Sequence, residues 1–139
     1  AGGAAVGAKT VIETLPGMFP LACSPRLNDL FVENIKEYFP ETKIEEAGHF
    51  TASTDMGDIS HLMPSIHPFI GGVDGRLHRK DFCVTDFDAA AILPGKVFAM
   101  NIIDLLYDEA AMAKEILEKE KPILTKEEYL AKLESYFQS

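Results

Sequence analysis

Lys43-Ile-Glu-Glu-Ala-Gly-His-Phe-Thr-Ala-Ser-Thr-Asp-Met-Gly-Asp-Ile-Ser-His-Leu-Met-Pro-Ser-Ile-His-Pro-Phe-Ile-Gly71 is the stretch on which the fold reading turns. Lys43 to Ala47 reads as a short strand near a sheet edge, because its charges are hard to bury. Gly48 to Pro64 mixes Gly, Ser, Thr and Asp without periodicity until Ile59, so it reads as a loop entering a short helix that Pro64 ends. Ser65 to Gly71 reads as a buried strand, which Pro68 moves toward an edge or a strand end. Strand, loop, helix and strand in that order form the repeating unit of an α/β fold.

The same alternation extends outward. Upstream, Ala4 to Ala8 reads as the end of a small-residue helix and Lys9 to Thr14 as a strand, broken by Leu15 to Pro20. Ser24-Pro25 is a helix start, since Ser caps free amides and Pro suits the first helical position. Leu27, Leu30, Phe31, Ile35, Tyr38 and Phe39 then recur at helical spacing, predicting a helix over Pro25 to Phe39. Downstream, Gly71 to Gly75 is a turn. Thr85-x-x-Asp88 resembles a capping box opening a long helical pattern, with Ala89, Leu93, Val97, Met100 and Asp104 in one row and Pro94-Gly95 kinking it. A polar helix follows over Glu109 to Lys119. Thr125-x-x-Glu128 is a second capping box, before a last helix with Leu130, Leu133 and Phe137 on one side. The expected fold is a three-layer α/β/α core with a helical C-terminal tail. An uncapped helix end at the start of the chain leads to the expectation of a piece of a longer protein.

Composition narrows the function. The 139 residues are 47% apolar and 25% charged, the balance of a folded globular domain. Twenty-two acids against 13 Lys and Arg give a net charge of −9, which argues against nucleic acid and anionic membranes as partners. No apolar run in the sequence reads as a membrane span, and the first residues lack a signal peptide's basic lead and apolar stretch. Cys23 and Cys83 are too few for a disulfide framework and read as reduced thiols of a cytoplasmic protein, Cys83 as a small buried hydrophobe.

Candidate chemistry concentrates in the middle of the chain. His49, His61, His67 and His78 share it with Asp55, Asp58, Asp74 and Asp81, and imidazole and carboxylate are ligands that suit zinc and related divalent ions. Their spacings match no self-contained metal motif. Ser53, Thr54, Asp55 and Asp58 lie where a strand gives way to a helix, a usual ligand position in open α/β sheets, although helix capping needs the same residues. A Cys83–His78 nucleophilic pair is a lesser alternative.

Ala52-Ser-Thr-Asp-Met-Gly-Asp-Ile-Ser-His-Leu-Met-Pro-Ser-Ile-His-Pro-Phe-Ile-Gly-Gly72, followed by Gly75-Arg-Leu-His78, resembles the C-terminal part of the co-catalytic zinc aminoacylases and carboxypeptidases. The nearest branch is that of the aminobenzoyl-glutamate and N-acyl-amino-acid amidohydrolases. The resemblance implies that residues 1–22 close a lid or dimerisation domain and that 23–139 return into a catalytic domain. It places His78 at the family's last metal ligand, and Ser53, Thr54 and Asp55 at its substrate loop. It implies a two-zinc enzyme cleaving an amide bond of an N-acyl amino acid or dipeptide-like substrate, and the chain is expected to form a homo-oligomer. The family's His-x-Asp and Glu-Glu segment, with its other ligands and general base, has no counterpart in these residues. No catalytic set is complete, so the chain alone is expected to bind metal weakly and hydrolyse amides poorly. The alternative is a non-enzymatic interaction or assembly module that keeps the fold without a metal site.

Overall fold

The computed structural model describes residues 1–13, 15, 17–46, 48 and 52–137. In order they form α1 (Gly2–Ala5), α2 (Pro25–Tyr38), α3 (Met56–Leu62), β1 (Val73–Asp74), β2 (Cys83–Val84), α4 (Leu93–Lys119) and α5 (Lys126–Phe137).

About 53% of the structure is helical and its sheet has two strands, so the three-layer α/β/α expectation is wrong. The three segments read as strands fail for want of partners. Residues 9–13 and 43–46 carry no ladder; Thr14 and Ala47, the last residues of those two readings, lie outside the described residues. Ser65 to Gly71 lies outside any ladder as well, yet its Ile66 and Ile70 pack on the helical core. Alternating apolar residues signal a buried face. They do not say whether sheet or helix supplies the other wall.

The helices follow local chemistry. The Ser24 hydroxyl accepts the Leu27 N–H at 3.1 Å and Pro25 takes the first position of α2. Leu30, Phe31 and Ile35 are then buried, and Phe31 and Ile35 pack with Val97 of α4. Burial of one such aliphatic or aromatic side chain is worth about 1.5–3 kcal/mol, and the compact cluster holds few of them. The polar contact between these helices therefore matters. The buried Asn34 Nδ2 donates to Asn101 Oδ1 at 2.8 Å and to Asp104 Oδ2 at 2.8 Å.

Pro94 does reshape its helix. It lacks the N–H that an α-turn would send to Ala90, and its ring crowds that carbonyl. The turn before it widens to π geometry over Asp88–Ile92, and the Leu93 N–H reaches back to Asp88 C=O. The cap sits one residue past the predicted Thr85, since the Asp86 side chain accepts the Ala89 N–H at 3.1 Å. Near its middle α4 breaks at Tyr107 to Ala110, where Asp108, Glu109 and Ala110 have φ of 49°, 55° and 60°. Left-handed backbone costs a residue with a Cβ roughly 1–2 kcal/mol. The break redirects the second half of α4 toward the start of α2. There the Arg26 N–H donates to Glu120 Oε1 and the Arg26 guanidinium meets Met112 Sδ.

The second capping box forms as read. Thr125 N–H donates to Glu128 Oε2 at 2.8 Å, and Glu128 N–H donates to Thr125 Oγ1 at 3.2 Å. The backbone hydrogen bond from Thr125, then its hydroxyl, holds the Glu128 carboxyl below the ordinary glutamate value. A carboxyl that ionises more readily when folded stabilises above its unfolded pKa and ceases to as pH falls through the folded one. Acidification below about pH 4.3, the unperturbed value, is expected to fray the first turn of α5, read as loss of helical Cα shifts at residues 126–129. Glu128→Gln should remove this acid transition. Identical titrations in both proteins would show that the box contributes nothing.

Candidate functional site

The predicted site residues divide between two places. Ser53, Thr54, Asp55 and Asp58 sit at the start of α3, and His78 sits in the loop that joins β1 to β2. Among the described residues, no group of three or more His, Cys, Asp or Glu converges in a metal-binding arrangement. His49 lies outside the described residues.

At α3 the polar side chains are used locally. Thr54 Oγ1 accepts the Met56 N–H and donates to Asp55 Oδ1, each at 3.3 Å. Asp55 occupies the cap position but makes no side-chain cap bond, and Ser53 is exposed. Asp58 Oδ1 accepts the Phe19 N–H at 3.1 Å, and Ser60 Oγ accepts the Ala22 N–H at 3.0 Å while donating to Gly57 C=O at 2.7 Å. These contacts staple the segment Phe19–Ala22 to α3. His61 completes the staple. Its Nδ1 lies 2.9 Å from Gly57 O and its ring stacks on Phe19 at 4.9 Å. Tyr129 and the Lys132 ammonium of α5 cover the same Phe19 ring. Asp58 and His61 thus both contact the Phe19–Ala22 segment.

His67 lies in the extended Ser65–Gly71 segment beside Phe69, and its buried Nδ1 has no hydrogen-bond partner among the described residues. His78 differs from both. It is exposed, and its backbone is left-handed with φ 62°. The surrounding hairpin pairs Val73 with Val84 and Asp74 with Cys83. Gly75 makes the turn possible at φ 87°, where a Cβ would lie 2.3 Å from Asp81 O. The hairpin is seated on the start of the α4 run, since Gly72 C=O accepts the Thr85 and Asp86 N–H groups at 2.9 and 3.1 Å. Cys83 is exposed on β2 and not the buried hydrophobe expected, because a two-residue hairpin buries neither face.

Sequence reasoning missed a cavity of about 180 Å³ where the start of α2 and the segment after α4 approach the end of α3, lined by Cys23, Ser24, Ser60, Met63, Glu120 and Pro122 among others. Ser24 and Ser60 are spent on backbone groups, and no histidine lines the cavity among the described residues, so Cys23 lacks a base there. No local pattern could have shown this cavity, because its walls come from three distant segments. Comparison with protein-family models, with curated proteins and with solved structures finds no match.

Gly57 is the residue of the Ser53–Asp58 stretch with the narrowest tolerance. A Cβ there would lie 1.9 Å from Phe19 O and 2.9 Å from its carbonyl carbon. Backbone cannot yield as a side-chain tip can, so Gly57→Ala must part α3 from Phe19–Ala22. Gly57→Ala is expected to destabilise by about 1–3 kcal/mol, the usual cost of overpacking, and to speed amide exchange at Phe19 and Ala22. Gly48→Ala, where a Cβ meets open space, is the control. Equal stability in the two variants would mean that the staple does not hold.

Proposed function

We propose that the chain is the C-terminal part of a metal-dependent amidohydrolase that cleaves the amide bond of an N-acyl amino acid or dipeptide-like substrate. In this reading His78 is the chain's ligand to a divalent ion, zinc by ligand chemistry, and Ser53, Thr54 and Asp55 belong to the substrate loop. The supporting observation is the backbone of His78. A residue with a Cβ is held at φ 62° and exposed, on a hairpin fixed by Gly72 and Gly75. Strain of this kind persists where surrounding structure enforces it, and it clusters at functional positions.

The described residues do not by themselves fit a zinc centre. A catalytic zinc takes three protein ligands and a structural one four, and no such group converges among them. The remaining ligands and the general base therefore have to come from other residues of the polypeptide, and no reaction step can be assigned to this chain alone.

Two measurements test the reading. Calorimetry on the 139-residue chain should show no tight stoichiometric zinc binding, and tight binding would contradict a contributory site. In the polypeptide that carries this chain together with its other ligands, His78→Ala should abolish hydrolysis of N-acyl amino acids and release metal, with circular dichroism unchanged. His61→Ala, which removes a ring stacked on Phe19, should lower stability and keep the metal. Full activity and full metal loading in His78→Ala would overturn the proposal.

A further inference from the structure

α4 changes direction where its own sequence gives no cause. Leu105 to Ala113 holds no Gly or Pro, and Leu, Glu, Ala and Met are among the strongest helix formers. Sharp bends in helices come from Pro, from Gly, from a π turn or from an inserted side chain. The π turn over Asp88–Ile92 lies at the other end of the run. Yet Tyr107 is extended, with φ −58° and ψ 152°, and Asp108, Glu109 and Ala110 follow in left-handed backbone. Tyr107, Asp108 and Glu109 are exposed. Among the described residues, no side chain over 107–110 makes a hydrogen bond or an ion pair. Nothing at the break itself holds it.

The restraint lies further along. In the second half of α4, Ile116 is 5% exposed and Met112 Sδ meets the Arg26 guanidinium. Just past the helix, Glu120 Oε1 accepts the N–H of Arg26, the second residue of α2, at 3.2 Å. The Leu124 N–H then donates to His61 C=O of α3 at 3.0 Å. A helix continued straight past Tyr107 would carry these groups away from α2 and α3. The strain at three consecutive residues is thus sustained by docking, since strain persists only where surrounding structure enforces it. Burial of one aliphatic side chain and left-handed backbone at one residue are terms of like size. The three strained residues therefore offset much of what docking gains.

The docked segment also closes the cavity beside Cys23. One side of that cavity comes from residues 22–25 and the end of α3, and the other from residues 120–123. We infer that residues 111–123 form a sprung lid. The left-handed turn is strained while the lid is docked, and undocking lets α4 straighten, which lifts residues 120–123 off the cavity and uncovers Cys23. Straightened, the 27 residues of α4 would span about 40 Å. The docked form limits the straight run to residues 93–106, about 21 Å. That falls short of the ~30 Å hydrocarbon core, although Asp88–Lys119 has the length and composition of a membrane span, contrary to the sequence reading. The inference uses neither His78 nor any metal.

Thiol labelling reads the lid. In a Cys83→Ser chain, the rate at which N-ethylmaleimide reacts with Cys23 follows the open fraction. Glu109→Gly relieves a left-handed position and weakens the straight helix, so it should slow labelling roughly fivefold or more. Glu109→Ala keeps a Cβ and should leave the rate unchanged. Ile116→Ala removes the buried anchor and should speed labelling roughly tenfold or more. Spin-label distances then separate straightening from unfolding. Nitroxides are placed at Lys96→Cys and Lys114→Cys, both exposed positions, with Cys23 and Cys83 replaced by Ser. A straight helix over 96–114 spans about 27 Å, and the docked lid gives a shorter separation. Ile116→Ala should shift the population to the long, narrow peak, and Glu109→Gly should shift it to the short one. Labelling of Glu109→Gly as fast as wild type or faster would overturn the proposal. So would a broad distance distribution without the long peak in Ile116→Ala.

Discussion

One side-chain amide fixes how the two long helices meet. Asn34 is buried and spends both of its N–H groups across the helix pair, on Asn101 and Asp104. An amide buried without partners loses its hydration and gains nothing, a cost of about 1–3 kcal/mol, so the pair is held to the register that satisfies it. Apolar contacts alone would fix this less well. Phe31, Ile35 and Val97 form the compact buried cluster, and apolar packing tolerates sliding that a two-centre hydrogen bond does not. Leu93, Ile66 and Ile70 then lean on the cluster from outside, and the extended Ser65–Gly71 segment takes its course from them.

Features with local causes were legible in the sequence. Ser24-Pro25 and Thr125-x-x-Glu128 each satisfy helix-end amides within four residues, and the structure forms both. Pro94 widens the turn before it for reasons contained in its own ring. Non-local features were not legible. The strands predicted at Lys9–Thr14, Lys43–Ala47 and Ser65–Gly71 needed partners that no local pattern supplies. The predicted cap at Thr85 failed for a related reason. Gly72 C=O captures the Thr85 and Asp86 N–H groups, which commits Thr85 to the hairpin and leaves the Asp86 carboxylate to cap the helix. Gly57 looked like one more small residue in a polar loop, and its constraint is a carbonyl 38 residues earlier in the chain, at Phe19.

The candidate residues show the same division. Asp58 and His61 are chemically suited to metal or substrate, but the fold uses them to hold Phe19–Ala22. The types of residues present could not distinguish these roles, because a carboxylate that accepts a backbone N–H and one that binds an ion look alike in sequence. The left-handed backbone of His78 had no signature either. Gly71 to Gly75 announced a turn, but it is the hairpin closed by Asp74 and Cys83 that forces a histidine into a conformation usually left to glycine.

The hairpin and the exposed face of α4 are joined through the backbone at Gly72. Its carbonyl holds the first residues after β2, and a Cβ at Gly72 would lie 2.7 Å from Ala90 N, inside the widened turn that leads into α4. The hairpin is therefore seated on the turn itself. Asp86 caps the same turn, and Ile92 ends it. The π turn lies close against Gly72, and Gly72 sets the base of the loop that carries His78. The base of the loop that carries His78 is thus placed by two backbone hydrogen bonds and one close glycine contact.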